Sequence, residues 1–320
     1  MSRIFLVDLE AVETRYTGEW KTHLPDLLRK RGHDVQVIDG PEDIPRATTP
    51  GAFLNFGGTN IYKSSQVEKI GRLFCDGRIS TGDHFIFTDA WHPGIINLKY
   101  MGELLGIKVV IHAHHNYFAT NFHIKLFCEN LLGFTPADTL YDSKIVRSGW
   151  PMEYMTDTLL MYKNMPKRDL ILFPHRIAPE KQLPIFEDLK QHLPQYEFRV
   201  CQEYPLTKNE YHNMLGEAKL VFSANLQETL GISWYEGALV DAIPMVPDRL
   251  SYSEMAMEDF KYPSEWTESF ESYTKHKSAV IDRVQHYMEN YKSYLPRLNK
   301  QTDKLTKNYF SCDKLLEMLK

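Results

Sequence analysis

Two glutamates, Glu228 and Glu236, bracket Gly231 in NLQETLGISWYEG (Asn225 to Gly237), and two cations, Arg176 and Lys181, stand earlier in FPHRIAPEKQ (Phe173 to Gln182). An ionised carboxylate accepts hydrogen bonds and can take both hydroxyls of a vicinal diol. A guanidinium and an ammonium in one loop can neutralise a diphosphate without a metal. Gly231 leaves the backbone open to close approach. The amides of Thr229, Leu230, Gly231 and Ile232 would open a helix, and a helix N-terminus attracts phosphate. Together these groups suit a sugar joined through a diphosphate to a ribose. Singly, each has a plainer role: Glu228 as a helix N-terminal charge, Glu236 as a solvated helix residue, Arg176 or Lys181 as a surface cation paired with Glu180. The cation pair beside a second anion-binding loop favours the ligand-binding reading.

Such groups need strand ends to hold them, and the sequence supplies strands in alternation with helices. RIFLVDL reads as a strand, GEWKTHLPDLLRKRG as a helix with Trp20, Leu24, Leu27 and Leu28 on one face and Gly32 as its stop, and HDVQVID as the next strand. HFIFTDA, a helix over PGIINLKYMGELLG, KVVIHA and a strand-like DTLYDS continue the series. The polar stretch YKNMPKRD (Tyr162 to Asp169) then interrupts it. A second series follows: LILFP, a helix, YEFRVCQ, the helix KNEYHNMLGEA, KLVFSAN, the glutamate motif and IPMVPD. From Tyr252 onward the chain reads as helices without further strand signals. The pattern is that of an α/β protein with two doubly wound parallel sheets. The expected boundary puts one domain at 1–165 and a second, with a helical tail, at 166–320, the last helix packing on the first domain.

Composition narrows the function classes. Of the 320 residues, 43% are apolar and 25% charged, and no apolar run approaches the length of a membrane span. The N-terminal MSRIFLVDLE reads as a strand and not as a leader peptide. The four cysteines form no CxxC pair, which points away from a zinc site or disulfide framework and toward a reducing cytoplasm. A formal net charge of -5 supplies no global attraction to nucleic acid.

HRIAPEKQ followed by SANLQETLGISWYEGALVDAIPMV resembles the C-terminal domain of retaining glycosyltransferases of the GT-B fold, in particular glycosyltransferase family 4. The resemblance covers roughly residues 170–250. It implies two Rossmann-like domains facing a cleft, with C-terminal helices packing back toward the first. It also implies that Arg176 and Lys181 hold the nucleotide diphosphate, that Glu228 binds hydroxyls of the donor sugar and Glu236 the ribose, and that the backbone of Thr229, Leu230 and Gly231 approaches diphosphate and sugar. No metal and no tightly bound cofactor is implied; the donor substrate is a nucleoside-diphosphate sugar, with a UDP-sugar expected.

The N-terminal half should serve the acceptor. In VVIHAHHNYF (Val109 to Phe118), His112, His114 and His115 are close enough in sequence for a metal site, but only His112 and His114 share a strand face and no carboxylate is interleaved. By the resemblance, a histidine at this strand end contacts the donor sugar and helps place the acceptor, which makes His112 and His114 the candidates. A buried, hydrogen-bonded histidine is the alternative for either. In TDAWHPG (Thr88 to Gly94), Asp89 can position an acceptor hydroxyl or cap the helix that Pro93 begins, beside Trp91 and His92. Arg15, Tyr16 and Trp20 can meet an acceptor or close the domain.

The chain shows no Ser/His/Asp or Cys/His nucleophile pattern. The resemblance implies front-face substitution, in which the diphosphate leaves on Arg176, Lys181 and the helix amides and itself takes the acceptor proton. The opening VETRYTGEWKTHLPDLL is similar in style to glycosyltransferases of tailed phages, some of which glycosylate hydroxymethylated pyrimidines in DNA. That implies a DNA acceptor with a flipped base, reached past Tyr16, Lys63, Lys69, Arg72, Phe118 and Lys144, in a host cytoplasm. Other readings are a soluble carbohydrate acceptor, an epimerase or phosphorylase of the same fold, and a non-catalytic nucleotide-sugar-binding module. No membrane partner is expected.

Overall fold

The computed structural model describes residues 3–7, 15–38, 64–87, 93–114, 119–127 and 146–320, without the side chains of 15–19, 64–68, 93–97 and 113. The expected strand over Asp138 to Ser143, and Lys63, Asp89, Trp91, His92, His115, Phe118 and Lys144, lie outside the described residues, as do the side chains of Arg15 and Tyr16. The chain divides into two compact units, Met1–Asn116 with Leu315–Lys320, and Tyr117–Lys314.

The first unit contains β1 (Arg3–Val7), α1 (Arg15–Lys30), β2 (Asp34–Ile38), α2 (Ser64–Cys75), β3 (His84–Phe87), α3 (Pro93–Leu104) and β4 (Val110–Ala113). All its strands are parallel, in the order β2-β1-β3-β4. α1 buries Trp20, Leu24 and Leu28, four residues apart on one face as the sequence pattern requires, and Gly32 follows with a positive φ of 89°. Phe5, Phe74, Phe85 and Phe87 stack through the core between the sheet and α2.

The second unit runs through α4 (Asn121–Phe127), α5 (Tyr154–Lys163), β5 (Leu170–Phe173), α6 (Leu183–His192), β6 (Glu197–Val200), α7 (Lys208–Glu217), β7 (Leu220–Phe222), α8 (Ile232–Leu239), β8 (Ile243–Pro247), α9 (Ser251–Met255), β9 (Lys261–Tyr262), α10 (Phe270–Glu289) and α11 (Tyr291–Asn308); α12 (Asp313–Met318) ends the chain. Its strands are parallel in the order β6-β5-β7-β8-β9. Among the described residues of this unit, β9 is the strand that the sequence pattern does not announce: two residues are too short for any periodicity, and pairing with Val246 and Pro247 defines them. β5 and β8 are buried along their whole length, as strands covered on both faces must be.

In both sheets the first strand lies inside, with its sequence neighbour on one side and the third strand on the other. The chain therefore leaves β5 and β7 toward opposite sides. Their carboxyl ends flank the crevice where open α/β sheets take their ligands.

Candidate donor site at the edge of the second sheet

The loops leaving β5 and β7 meet at that crevice. The β5 loop ends in a single 3₁₀ turn, Pro179–Lys181, and Gln182 follows in the left-handed region at φ 55°. This turn brings Lys181 inward: its Nζ donates to the Gln227 carbonyl at 2.6 Å and to Glu228 Oε2 at 3.0 Å, and both side chains of the pair are about nine-tenths buried. Arg176 behaves otherwise. Its guanidinium is exposed and paired with Glu180, which leaves it able to turn toward an anion.

Glu228 is the hub. Its Oε1 accepts from the amides of Thr229 and Gly231, each at 3.1 Å, and its Oε2 accepts from Asn225 Nδ2 at 2.9 Å as well as from Lys181. The helix N-terminus expected to face a phosphate is here wrapped around a carboxylate of its own loop. Burial pushes the Glu228 carboxyl up, but Lys181, His175 and the Thr229 amide outweigh it and hold the group below its ordinary range. The site thus keeps a fixed negative charge beside a fixed positive one.

Gly231 has a local reason to be glycine. Its φ is 66°, and a Cβ there would collide with the Trp234 indole and crowd Tyr252. The packing is specific: Trp234 folds back to donate from Nε1 to the Leu230 carbonyl and packs edge-on against Tyr252.

Several residues that the motif reading passes over complete the site. His175 is buried, shares a 2.6 Å hydrogen bond with Ser223 Oγ, and has its pKa lowered to about 4 by burial and then by Lys181, against the pull of Glu228. It is a neutral ring at working pH. Asn225, fully buried, donates to the Tyr252 hydroxyl at 2.8 Å. Arg249 and Gln182 clamp the strand end from behind. Arg249 donates to the carbonyls of Ala224, Asn225, Ser264 and Thr267, and Gln182 Nε2 to those of Ala224 and Thr267. Burial lowers the Arg249 pKa. The available signal was position: His175 directly follows one predicted strand and Asn225 ends another, where chemistry in this fold concentrates. Arg249 and Tyr252 come from across β8, which no local pattern reveals.

Glu236 lies on α8 with no exposed surface, and its Oε2 accepts from the Tyr211 hydroxyl at 2.9 Å. The solvated-helix alternative is therefore excluded. In the first unit, His112 Nε2 meets His84 Nδ1 at 3.2 Å in a parallel ring stack, and burial followed by His84 brings its pKa to about 4. His114 is buried, and its Nδ1 accepts from the Trp20 indole at 3.1 Å. Both histidines, expected at donor sugar and acceptor, have packing partners within their own unit. Trp20, a candidate acceptor contact, is buried on His114 instead. Among the described residues no group of three or more His, Cys, Asp or Glu could hold a metal ion, and no helix is long and apolar enough to cross a membrane.

Compared with known proteins, the chain matches no family model and no curated sequence. Among the solved structures to which it is similar are two synthases. One is the catalytic domain of starch synthase IV from Arabidopsis thaliana bound to ADP and acarbose, at 11% identity over 99% of this chain and 98% of that chain, with a TM-score of 0.57. The other is sucrose-phosphate synthase from Thermosynechococcus elongatus, at 10% identity over 99% and 97%, with a TM-score of 0.51. The chain has the GT-B fold. At such identity the likeness speaks for the GT-B architecture and leaves the chemistry to the residues.

Proposed function

We propose that this protein is a retaining glycosyltransferase that moves a sugar from a nucleoside-diphosphate sugar, a UDP-sugar, to an acceptor hydroxyl. The observation that carries the reading is the buried Lys181–Glu228 pair at the crevice between β5 and β7, set against the amides that open α8. A cation for phosphate and a carboxylate for sugar hydroxyls thus stand within 3.0 Å of one another. The GT-B starch synthase, which is bound to ADP, adds support for a nucleotide.

In this mechanism the bond from the anomeric carbon to the diphosphate breaks as the acceptor oxygen bonds from the same face. The diphosphate carries away the electron pair and takes the acceptor proton. Lys181 and Arg176 neutralise the developing charge, the backbone of Thr229, Leu230 and Gly231 lies against it, Glu228 orients the sugar and Glu236 takes the ribose. Residues 166–320 form the donor half and 1–165 the acceptor half.

The acceptor we propose is a 5-hydroxymethyl pyrimidine flipped out of phage DNA, in the host cytoplasm. Arg72, exposed on α2, with the half-buried Lys69 one turn before it, offers cations for a DNA backbone. The test is incubation with UDP-, ADP- and GDP-sugars, with hydroxymethylated DNA, unmodified DNA or an oligosaccharide. Release of the nucleoside diphosphate that depends on hydroxymethylated DNA, with an α-linked product from an α-linked donor, is expected. Oligosaccharide-dependent release would transfer the acceptor to carbohydrate, and absence of any donor turnover would leave only a binding module.

A further inference from the structure

Glu236 is the carboxylate of the motif with no exposed surface, and one of the groups that meet it is a hydroxyl donor, Tyr211. Tyr211 sits in the first turn of α7, at the end where the loop from β6 arrives, on the same sheet edge as the donor loops. That turn is stiff: Thr207 and Glu210 form a reciprocal capping box, with Thr207 N donating to Glu210 Oε2 at 2.8 Å and Glu210 N to Thr207 Oγ1 at 3.3 Å. Behind it, His212 is buried with Nε2 3.8 Å from Glu236 Oε1, too far for a hydrogen bond. Cys201, at the end of β6, feels the same charge: burial, and then Glu236, pushes its thiol up to about 12. A carboxylate so enclosed needs donors, and the Tyr211 hydroxyl supplies one at 2.9 Å.

We infer that Tyr211 occupies, on Glu236, the place of a ribose hydroxyl, so that a nucleotide reaches this carboxylate only by displacing the phenol. The inference rests on the nucleotide-sugar reading above. A phenol O–H and a ribose O–H are the same kind of donor and compete for the same oxygen. The ribose diol brings two donors where Tyr211 brings one, so exchange favours a ribonucleotide. A sugar without the diol offers no replacement and leaves Tyr211 in place. Tyr211 is thereby a specificity-determining residue that selects ribose, and the stiff turn confines the change to rotation of its ring.

The experiment is calorimetric titration of UDP, ADP and GDP, and of their 2′,3′-dideoxy counterparts, into the intact chain and into Tyr211→Phe and Glu236→Gln. Phenylalanine keeps the ring and removes only the competing hydroxyl. The expected result is roughly tenfold tighter binding of the ribonucleotide by Tyr211→Phe, the effect of one hydrogen bond to a charged group, with dideoxynucleotide affinity unchanged. Glu236→Gln should largely erase the preference for ribose. Ribonucleotide affinity that is unchanged or weaker in Tyr211→Phe, or tightened equally for both sugars, overturns the inference and leaves the donor site standing. Failure of every form to bind any nucleotide overturns both.

Discussion

The two sheets begin with the same order, second strand, first, third, fourth, yet their carboxyl edges are furnished differently. At the end of β4 the histidines pair within their own unit: His112 with His84, His114 with Trp20. At the ends of β5 and β7 the polar groups converge on a single carboxylate, Glu228, which joins a lysine, an asparagine and two amides. The contrast shows that doubly wound topology provides a crevice without filling it. What fills it is loop chemistry: a 3₁₀ turn that aims Lys181 inward and a left-handed glycine that lets Trp234 fold beneath the helix start.

The sharpest way to break this contrast is Lys181→Ala. Turnover of a sugar nucleotide should fall by about 10² to 10³ through loss of the phosphate clamp. Stability should drop as well, since Glu228 would be left as a buried charge without its cation. Full turnover in this variant is incompatible with a donor site here.

Next in size is Gly231→Ala, where the positive φ and the collision with Trp234 act together. We expect a loss of about 3 kcal/mol in chemical denaturation. An unchanged midpoint would show that the loop relaxes freely and is not braced by the indole.

A pH series probes both edges at once. His112 and His175 each have a folded pKa of about 4, below the usual histidine value of 6.5. Between those values the unfolded chain binds more protons, so stability falls as pH drops from 6.5 toward 4, by about 1.4 kcal/mol per pH unit for each ring at the steepest. Glu228, whose pKa is depressed, adds its loss at lower pH, below the ordinary carboxylate value of 4.5. Thermal unfolding from pH 7.5 to 4 should show the histidine slope, and His175→Gln should make it shallower.

The smallest effect is expected from Trp20→Phe, which removes the indole N–H from His114. A cost of about 1 kcal/mol in stability, with turnover unchanged, matches a packing histidine. Turnover lowered more than tenfold at unchanged melting temperature would instead place His114 in the reaction.

Much of this was legible along the chain. The α1 face read correctly because helical burial repeats every three to four residues, and Trp20, Leu24 and Leu28 obey that spacing. The glutamate motif stood out because its charge, glycine and helix start are contiguous. Glu236 illustrates where such reading stops. Its place on α8 follows from the sequence, but its hydrogen bond from Tyr211 depends on a different βα unit, 25 residues away. Gly231 is similar: the need for glycine is visible, while its cause, Trp234, appears only when the helix turns.

By itself the sequence determined the alternation of strands and helices, the division into two series, and which loops carry cations, carboxylates and glycine, because these depend on periodicity and near neighbours. Only the tertiary structure decided that Lys181 turns inward while Arg176 stays outside, that Arg249 clamps the end of β7, and that His112 and His114 meet His84 and Trp20 in their own unit. The physical reason is that a charged or polar side chain takes its role from the partners that desolvate it. Those partners reach it through sheet pairing and helix packing across dozens of residues.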